Sequence, residues 1–505
     1  MPSEEALVFS PLVESVRACL PDDLPVYLVG GAVRDAFLQR VSHDLDFALP
    51  REGIKTARRV ANALQADFYP LDPARDTGRV IVSAEDGTRT FLDFATFRGP
   101  DLEADLTGRD FTVNAIAYDL HTHALHDPLG GALDLKEKRL RLCASSAFTD
   151  DPVRILRAVR LAVAFGFQMA PATRQALKPA VDGLARISPE RLRDELFRIL
   201  DGPQPASCIR LLETIGAIGH ILPELTVLKG VEQSAPHVRD VWNHTLAVMQ
   251  HLETILAALA PEYRPETAVD WTTGLLVLRL GRYRGRFAEH FARSLTPNRS
   301  LRGLLFLAAL YHDAGKPASR SEQDGRTRFL GHDVLGAGLS AERGRLLALS
   351  NDEIERLDVL IRNHMRIHNQ SNRLVREQKE PSRRAIYRFF RDTGEAGVDL
   401  VLLGLADCRA TYEQTLPQDI WAAYLDDCRL LLENWWEKPE ESVAPPPLVN
   451  GGDLMKALEL PPGPLVGELL EAVREAQATG KISTRAQAVE LARGMLPKPS
   501  RGEAP

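Results

Sequence analysis

Cysteine is scarce in this chain. Its five residues (Cys19, Cys143, Cys208, Cys408, Cys428) are scattered over 505 positions, odd in number and never in a CxxC pair. That pattern argues against a zinc ribbon and predicts reduced thiols in a cytoplasmic compartment. Long apolar runs are also lacking. The longest, such as "LLFLAALY", fall well short of the ~20 residues that a membrane-spanning helix needs. The opening "MPSEEALVFS" carries acids and no basic region, which predicts no secretory signal. No long internal repeat and no low-complexity segment is present. An overall excess of positive charge is missing too. With a net charge of −7, any nucleic-acid partner must be held by a local basic surface.

Such a surface is visible where acids are absent. Between Pro152 and Val181 there is no Asp or Glu, while Arg154, Arg157, Arg160, Arg174 and Lys178 supply five positive charges. The three arginines in "DPVRILRAVRLAVAF" recur every third residue and stripe one side of a helix. Solvated helix faces ordinarily interleave acids as partners. This one does not, so the stripe is read as meeting phosphates or base edges.

A second informative stretch is "YLVGGAVRDAFLQRVSHDLDFAL", Tyr27 to Leu49. Tyr27 to Val29 predict a short buried strand, and Ala32 to Gln39 a helix. Gly30 and Gly31 between them permit close backbone approach. A helix opening after glycines offers free N–H groups and a positive dipole end to phosphate. "DLDFAL" then predicts a second strand, on which Asp44 and Asp46 share one face. Two adjacent carboxylates raise each other's pKa unless a cation lies between them. Mg²⁺, bound by one or two carboxylates and substrate phosphates, resolves that repulsion. A lone GGxxR is a common turn and a lone DxD a common strand end, but their conjunction within 20 residues points to nucleotidyl transfer. It also differs from a dinucleotide fingerprint, which needs G-x-G-x-x-G and a single acid.

At 505 residues the chain should form several domains. Up to about residue 145 short strands ("VYLVG", "DLDFAL", "RVIVSA", "TRTFLDFATF") alternate with helices. From "DDPVRILRAVR" onward the periodicity is almost purely helical. The expected class is therefore α+β and multidomain. Gly202-Pro203 and "LKGVEQSAPH" read as joints, and "EKPEESVAPPPLVNGG" (Glu437 to Gly452) as a proline-rich linker into a last helical module.

With the DxD placed, "GRDFTVNAIAYD", "DPLGGALDLKEKRLR", "DDPVRILRAVRLAVAFGF" and "ISPERLRDEL" follow in order. Together they resemble the motif set of bacterial class II tRNA nucleotidyltransferases and their poly(A) polymerase relatives. The likeness continues through an HD-type region to "LVNGGDLMKALELPPGPLVGELLEAVREAQATGKISTRAQAVELA", which resembles the family's tRNA-holding tail. It implies a nucleotidyltransferase head over 1–145, a helical neck over 146–232, an HD domain over 233–436 and a tail module over 448–497. The implied partners are tRNA and CTP, ATP or both. By the same resemblance Gly31 and Arg34 hold triphosphate, and Asp44 and Asp46 bind Mg²⁺. Arg109 contacts nucleotide, Asp151 and Arg154 read the incoming base, and Arg157 and Arg160 add contacts. Asp93, in "TFLDFATF", is either a third carboxylate facing the pair or an ordinary strand acid. Family members that add the final A usually carry a longer Tyr- and Arg-bearing loop before "RDFT". Here "DFATFRGPDLEADLTGRDF" runs straight through, which favours a CC-adding enzyme over a full CCA enzyme or an A-adding partner.

A second constellation is His244 ("VWNHTL"), His312-Asp313 ("ALYHDAGK") and Asp407 ("LLGLADCRA") on helical segments, with His332 and His364 as further imidazoles. Imidazole with carboxylate suits a divalent metal that activates water for phosphoester hydrolysis. An adjacent His-Asp in an apolar helix is costly without a partner, so a complete HD metal site is expected. His237 and His368 show no comparable context. Two other functions compete. A poly(A) polymerase would usually end in an arginine-rich tail, and "PKPSRGEAP" is short and mixed. A metal-dependent phosphohydrolase that only binds RNA through its N-terminal half would have no need of Asp44 and Asp46.

Overall fold

The computed structural model describes residues 7–84, 88–262, 270–297, 299–323 and 325–496. Part of the opening stretch (1–6), position 497 of the expected tail module and the closing residues after it lie outside that set. Two compact units are present: Met1–Gly202 with Arg210–Ile221, and Pro203–Ile209 with Leu222–Pro505. No helix among the described residues is long and apolar enough to cross a membrane.

The first unit is built on a seven-stranded mixed sheet. Its strands are β1 (Tyr27–Val29), β2 (Asp44–Leu49), β3 (Asp67–Asp72), β4 (Thr77–Ser83), β5 (Arg89–Thr96), β6 (Ala117–Asp119) and β7 (Leu125–His126), in the order β3-β4-β5-β2-β1-β6-β7. Among the described residues of this sheet, only the β2–β5 pair runs parallel. Strand alternation sorts β2 by chemistry: Leu45 and Phe47 are buried, while Asp44 and Asp46 open on the other face. Phe47 stacks on Phe94 of β5 with ring centroids 4.6 Å apart. The Gly53–Leu64 helix packs on β3, β4 and β5. Its first N–H groups are capped from afar by Asp76, which accepts from Gly53 N at 2.7 Å and Ile54 N at 3.0 Å. Beyond the sheet the chain turns helical, and the Arg154–Phe165 helix lies against Pro189–Leu200.

The second unit is helical, but not purely so. Two short hairpins, Ser294–Thr296 with Arg299–Ser300 and Arg320–Gln323 with Arg326–Phe329, interrupt it, within the almost purely helical pattern expected. The Ala396–Tyr412 helix is buried from Ala396 through Thr411, as expected of a helix apolar on every face. Its charged exceptions are each partnered: Asp399 by Arg356 and His290, Arg409 by Asp270, Asp407 by His244 and His368. The last three helices, Gly451–Leu458, Pro464–Ala478 and Arg485–Gly494, share a small core of Leu454, Leu469, Val473, Ala488 and Ala492. Glu475 of this module pairs with Arg388 of the Arg383–Thr393 helix at 2.9 Å.

Candidate functional site

The glycine turn after β1 and Asp46 of β2 meet in one cleft of about 260 Å³, which Asp44, two residues earlier on the same strand face, does not line. Gly30 has φ +76°, and a Cβ there would come within 3.1 Å of Asp46 Oδ2 and 3.3 Å of Arg109 Nη1. Both constraints call for glycine. Asp46 lies on the cleft wall beside Gly30 and Gly31, with six arginines around it: Arg75, Arg98, Arg109, Arg154, Arg157 and Arg191. The cleft can therefore neutralise a polyanion.

Electrostatics sharpen that picture. Asp46 keeps access to solvent, yet burial against the protein holds its carboxyl above the usual carboxylate range. The neighbouring Asp93 and Asp44 push the same way, and Arg109 and Arg157 oppose them. A partly desolvated Asp46 carboxylate, with Asp44 on the same strand face offering further hard oxygen donors, fits Mg²⁺. Arg98 is held below its usual value by burial and by Arg109, Arg154 and Arg75. The Asp105 carboxylate opposes them only in part, and no sequence motif marked this cation.

Arg109 is aimed by Asp105, which is buried and accepts its Nη2 at 2.9 Å and Nε at 3.2 Å. Asp110 accepts from Phe111 N (2.7 Å), Asn114 Nδ2 (3.0 Å) and Arg157 Nη1 (3.0 Å). These bonds and the Arg157 charge hold its pKa down despite burial. Asn114 Oδ1 in turn accepts from Arg34 Nη1 at 2.8 Å.

The structure corrects the acid-free stripe. Its arginines are partnered by acids from distant segments: Arg157 by Asp110 and Glu195, and Arg160 by Glu195 at 2.6 Å. A local window of sequence could not show Glu195, 35 residues away. Arg160 and Arg34 do not line the cleft. Arg34 is buried, bonded to Asp35 and Asn114, with its guanidinium 4.6 Å from the Phe165 ring centroid. Asp93 lies in register beside Asp46, but Arg79 takes both of its oxygens at 2.6 Å. Asp151 and Arg154 both line the cleft. Asp151 is held by Arg191, and Arg154 donates to the carbonyls of Gly108, Arg109 and Ala147.

The helical unit brings together all six candidate metal ligands. Asp313 is the hub. Its Oδ2 lies 3.2 Å from His312 Nε2 and 3.7 Å from His244 Nε2; its Oδ1 lies 3.4 Å from His332 Nε2 and 3.9 Å from His364 Nε2. Two ligand groups result, His244–His312–Asp313 and Asp313–His332–His364, all buried. Three of the histidines contact a carbonyl three residues back through Nδ1: His312 to Ala309 (2.8 Å), His332 to Phe329 (2.7 Å) and His364 to Ile361 (2.6 Å). A carbonyl only accepts, so Nδ1 carries the proton and the neutral ring turns its Nε2 lone pair inward. His332 and His364 then face each other at 3.1 Å, Nε2 to Nε2, an arrangement a cation relieves. Among the described residues, His312 Nε2 and both His244 nitrogens lack a hydrogen-bond partner. The donor set fits a divalent metal.

Two residues set aside in the sequence belong here after all. His368 Nε2 lies 2.7 Å from Asp407 Oδ2, and its Nδ1 is 2.8 Å from the Tyr424 hydroxyl. His237 packs edge-on against His244, with burial and Lys316 pulling its pKa down to about 4. The i, i+4 spacing in "HMRIH" was the available signal for His368. Lys316 Nζ sits 2.6 Å from Asp313 Oδ2 and 2.6 Å from Gln233 Oε1.

Comparison with known proteins decides the family. The model for the poly A polymerase head domain matches residues 26–141, and the polymerase A model "RNA and SrmB- binding site" matches 166–228. The HD domain model matches 241–393, and that of tRNA nucleotidyltransferase domain 2 matches 444–492. The chain is 33% identical to the CC-adding tRNA nucleotidyltransferase of Thermus thermophilus, over 92% of this chain and 94% of that protein. The chain belongs to the tRNA nucleotidyltransferase family. The A-adding tRNA nucleotidyltransferase of Deinococcus radiodurans is also 33% identical, over 91% and 93% of the two chains. The fold is shared with the Thermotoga maritima CCA-adding enzyme complexed with tRNA (TM-score 0.56, 20% identity, 97% of each chain). This nucleotidyltransferase therefore joins a transferase head to an HD domain, as the motif order implied.

Proposed function

We propose that this enzyme extends tRNA 3′ ends with C from CTP and stops after the second C. Asp44 and Asp46 would hold Mg²⁺, which supplies activation of the ribose 3′-hydroxyl and charge neutralisation on the triphosphate. Arg109, Arg98 and Arg75 line the same cleft and meet the triphosphate. The Gly30–Gly31 turn lets its phosphates approach the backbone. Asp151 and Arg154 offer an acceptor and a donor fork to the base edge.

One observation carries the preference for CC. The segment between β5 and Arg109 is short and pinned, with no room for a mobile basic loop. The Leu102–Thr107 helix is capped by Asp101, which accepts from Ala104 N at 2.9 Å. Asp105 binds both Arg98 N (3.1 Å) and Arg109. A pocket held this way offers one geometry, and a pyrimidine and a purine cannot share it. The test is purified protein with tRNA transcripts ending before C74, C75 or A76, supplied with CTP or ATP separately. CTP should be used on the first two and ATP refused on the third.

The HD domain is read as a phosphohydrolase site. His244, His312, Asp313 and Asp407, with His332 and His364, would hold a divalent metal that activates water. Metal analysis of the purified protein, before and after chelation, tests this reading.

A further inference from the structure

Asp151 is an asymmetric carboxylate. Its Oδ2 accepts from Arg191 Nη2 at 2.6 Å, whereas its Oδ1 is buried and has no hydrogen-bond partner among the described residues. An unpaired buried acceptor is costly and calls for a donor from outside. Both residues line the cleft that holds Asp46.

Arg154 cannot take over the task of Arg191. Its Nε is 3.9 Å from Asp151 Oδ2, and its Nη atoms donate to Gly108 O (2.9 Å), Arg109 O and Ala147 O. The hold on the Asp151 carboxylate therefore falls to Arg191. Helix stability does not explain Arg191 either. It occupies the first turn of Pro189–Leu200, where the dipole disfavours a cation, and its side chain is 54% exposed. An exposed ion pair of this kind adds little to the fold.

We infer that Arg191 is a positioning residue for base selection: by holding Oδ2 it presents the free Oδ1 of Asp151 to the exocyclic amino group of the incoming nucleotide. An ionised carboxylate only accepts. Cytosine N4 and adenine N6 donate, whereas uracil O4 and guanine O6 present lone pairs. The fixed oxygen thus welcomes an amino-bearing base and repels a carbonyl-bearing one. A carboxylate free to rotate would lose that contrast. This inference rests on the nucleotidyl-transfer reading of the cleft.

The test uses the full chain as wild type, Arg191→Ala and Arg191→Lys. Equilibrium binding of CTP and UTP with Mg²⁺ is measured, together with kcat/KM for each on tRNA lacking its CCA end. Wild type should prefer CTP. Arg191→Ala should shrink the CTP-to-UTP ratio about 10- to 100-fold, with the KM for tRNA unchanged, and Arg191→Lys should recover part of the ratio. CTP and UTP falling by one common factor in Arg191→Ala, or an unchanged ratio, overturns the inference and leaves the transferase reading standing. Wild type that neither binds nor incorporates CTP overturns the transferase reading itself, and this inference with it. Circular dichroism and the lysine variant separate loss of selection from loss of fold.

Discussion

Arg157 donates to Asp110 at 3.0 Å across 47 residues of sequence, tying the GRDF segment of the head to the first neck helix. The pair is one link in a chain from the glycine turn outward. Arg34 binds Asn114, Asn114 binds Asp110, Asp110 binds Arg157, and Arg157 and Arg160 share Glu195. One connected polar frame thus runs from the helix after the glycine turn to the Arg154–Phe165 and Pro189–Leu200 helices.

Breaking that frame should cost stability. Asp110→Ala leaves Arg157 with only the longer 3.7 Å contact to Glu195 and strips Asn114 of its acceptor. A charge-assisted hydrogen bond is worth about 1.5–3 kcal/mol, so urea unfolding of the variant should shift by about that amount. A midpoint equal to wild type would show that the frame is dispensable.

Removing the Asp44 and Asp46 carboxylates should act on chemistry alone. Asp44→Ala and Asp46→Ala lie on the open face of β2 and should leave the fold intact, while nucleotide addition falls by at least about 10²–10³-fold. Near-normal incorporation by the double variant would sink the transferase assignment to this cleft.

The HD ligands should be separable from nucleotide addition. If these residues hold a metal, His312→Ala combined with Asp313→Ala should lower the metal content and any phosphoesterase activity, with CTP incorporation unchanged. His368→Ala, which removes the group orienting Asp407, should weaken metal binding about 10–100-fold. Equal metal content in all three proteins would count against a metal centre there.

Acid should stabilise one part of the helical unit. Asp427 is fully buried, and burial pushes its pKa up to about 6 although Ser371 and Gln370 donate to it. Its folded pKa exceeds the unfolded value near 3.8, so the folded state holds the extra proton between the two. Stability from this group is therefore full below pH ~4 and declines as pH rises to about 6, by roughly 2–3 kcal/mol. Calorimetry of Asp427→Asn against wild type should show a flatter pH dependence across that window. Parallel curves would place the titration elsewhere.

With CTP and ATP both present, tRNA lacking its end should finish in CC. Efficient ATP addition to tRNA already ending in CC, read on a sequencing gel, would move the assignment to a CCA- or A-adding enzyme.

What the sequence determined by itself was local. The glycine turn before the Gly31–Phe37 helix, the shared face of Asp44 and Asp46 and the His312-Asp313 pair follow from backbone periods of 2 and 3.6, which a short window contains. The motif order added the family, because ordered spacing survives where individual residues change. Partnership was decided only by the tertiary structure. Arg157 and Arg160 looked unpaired until packing delivered Asp110 and Glu195, and Asp93 stayed an open choice between a third carboxylate and a strand acid until β4 brought Arg79 to it. His368 reaches Asp407, and Tyr424 reaches His368, only because three helices separate in sequence pack together. Charges and hydrogen-bond donors act over a few ångströms of space, and a linear sequence does not say which distant residues will occupy them.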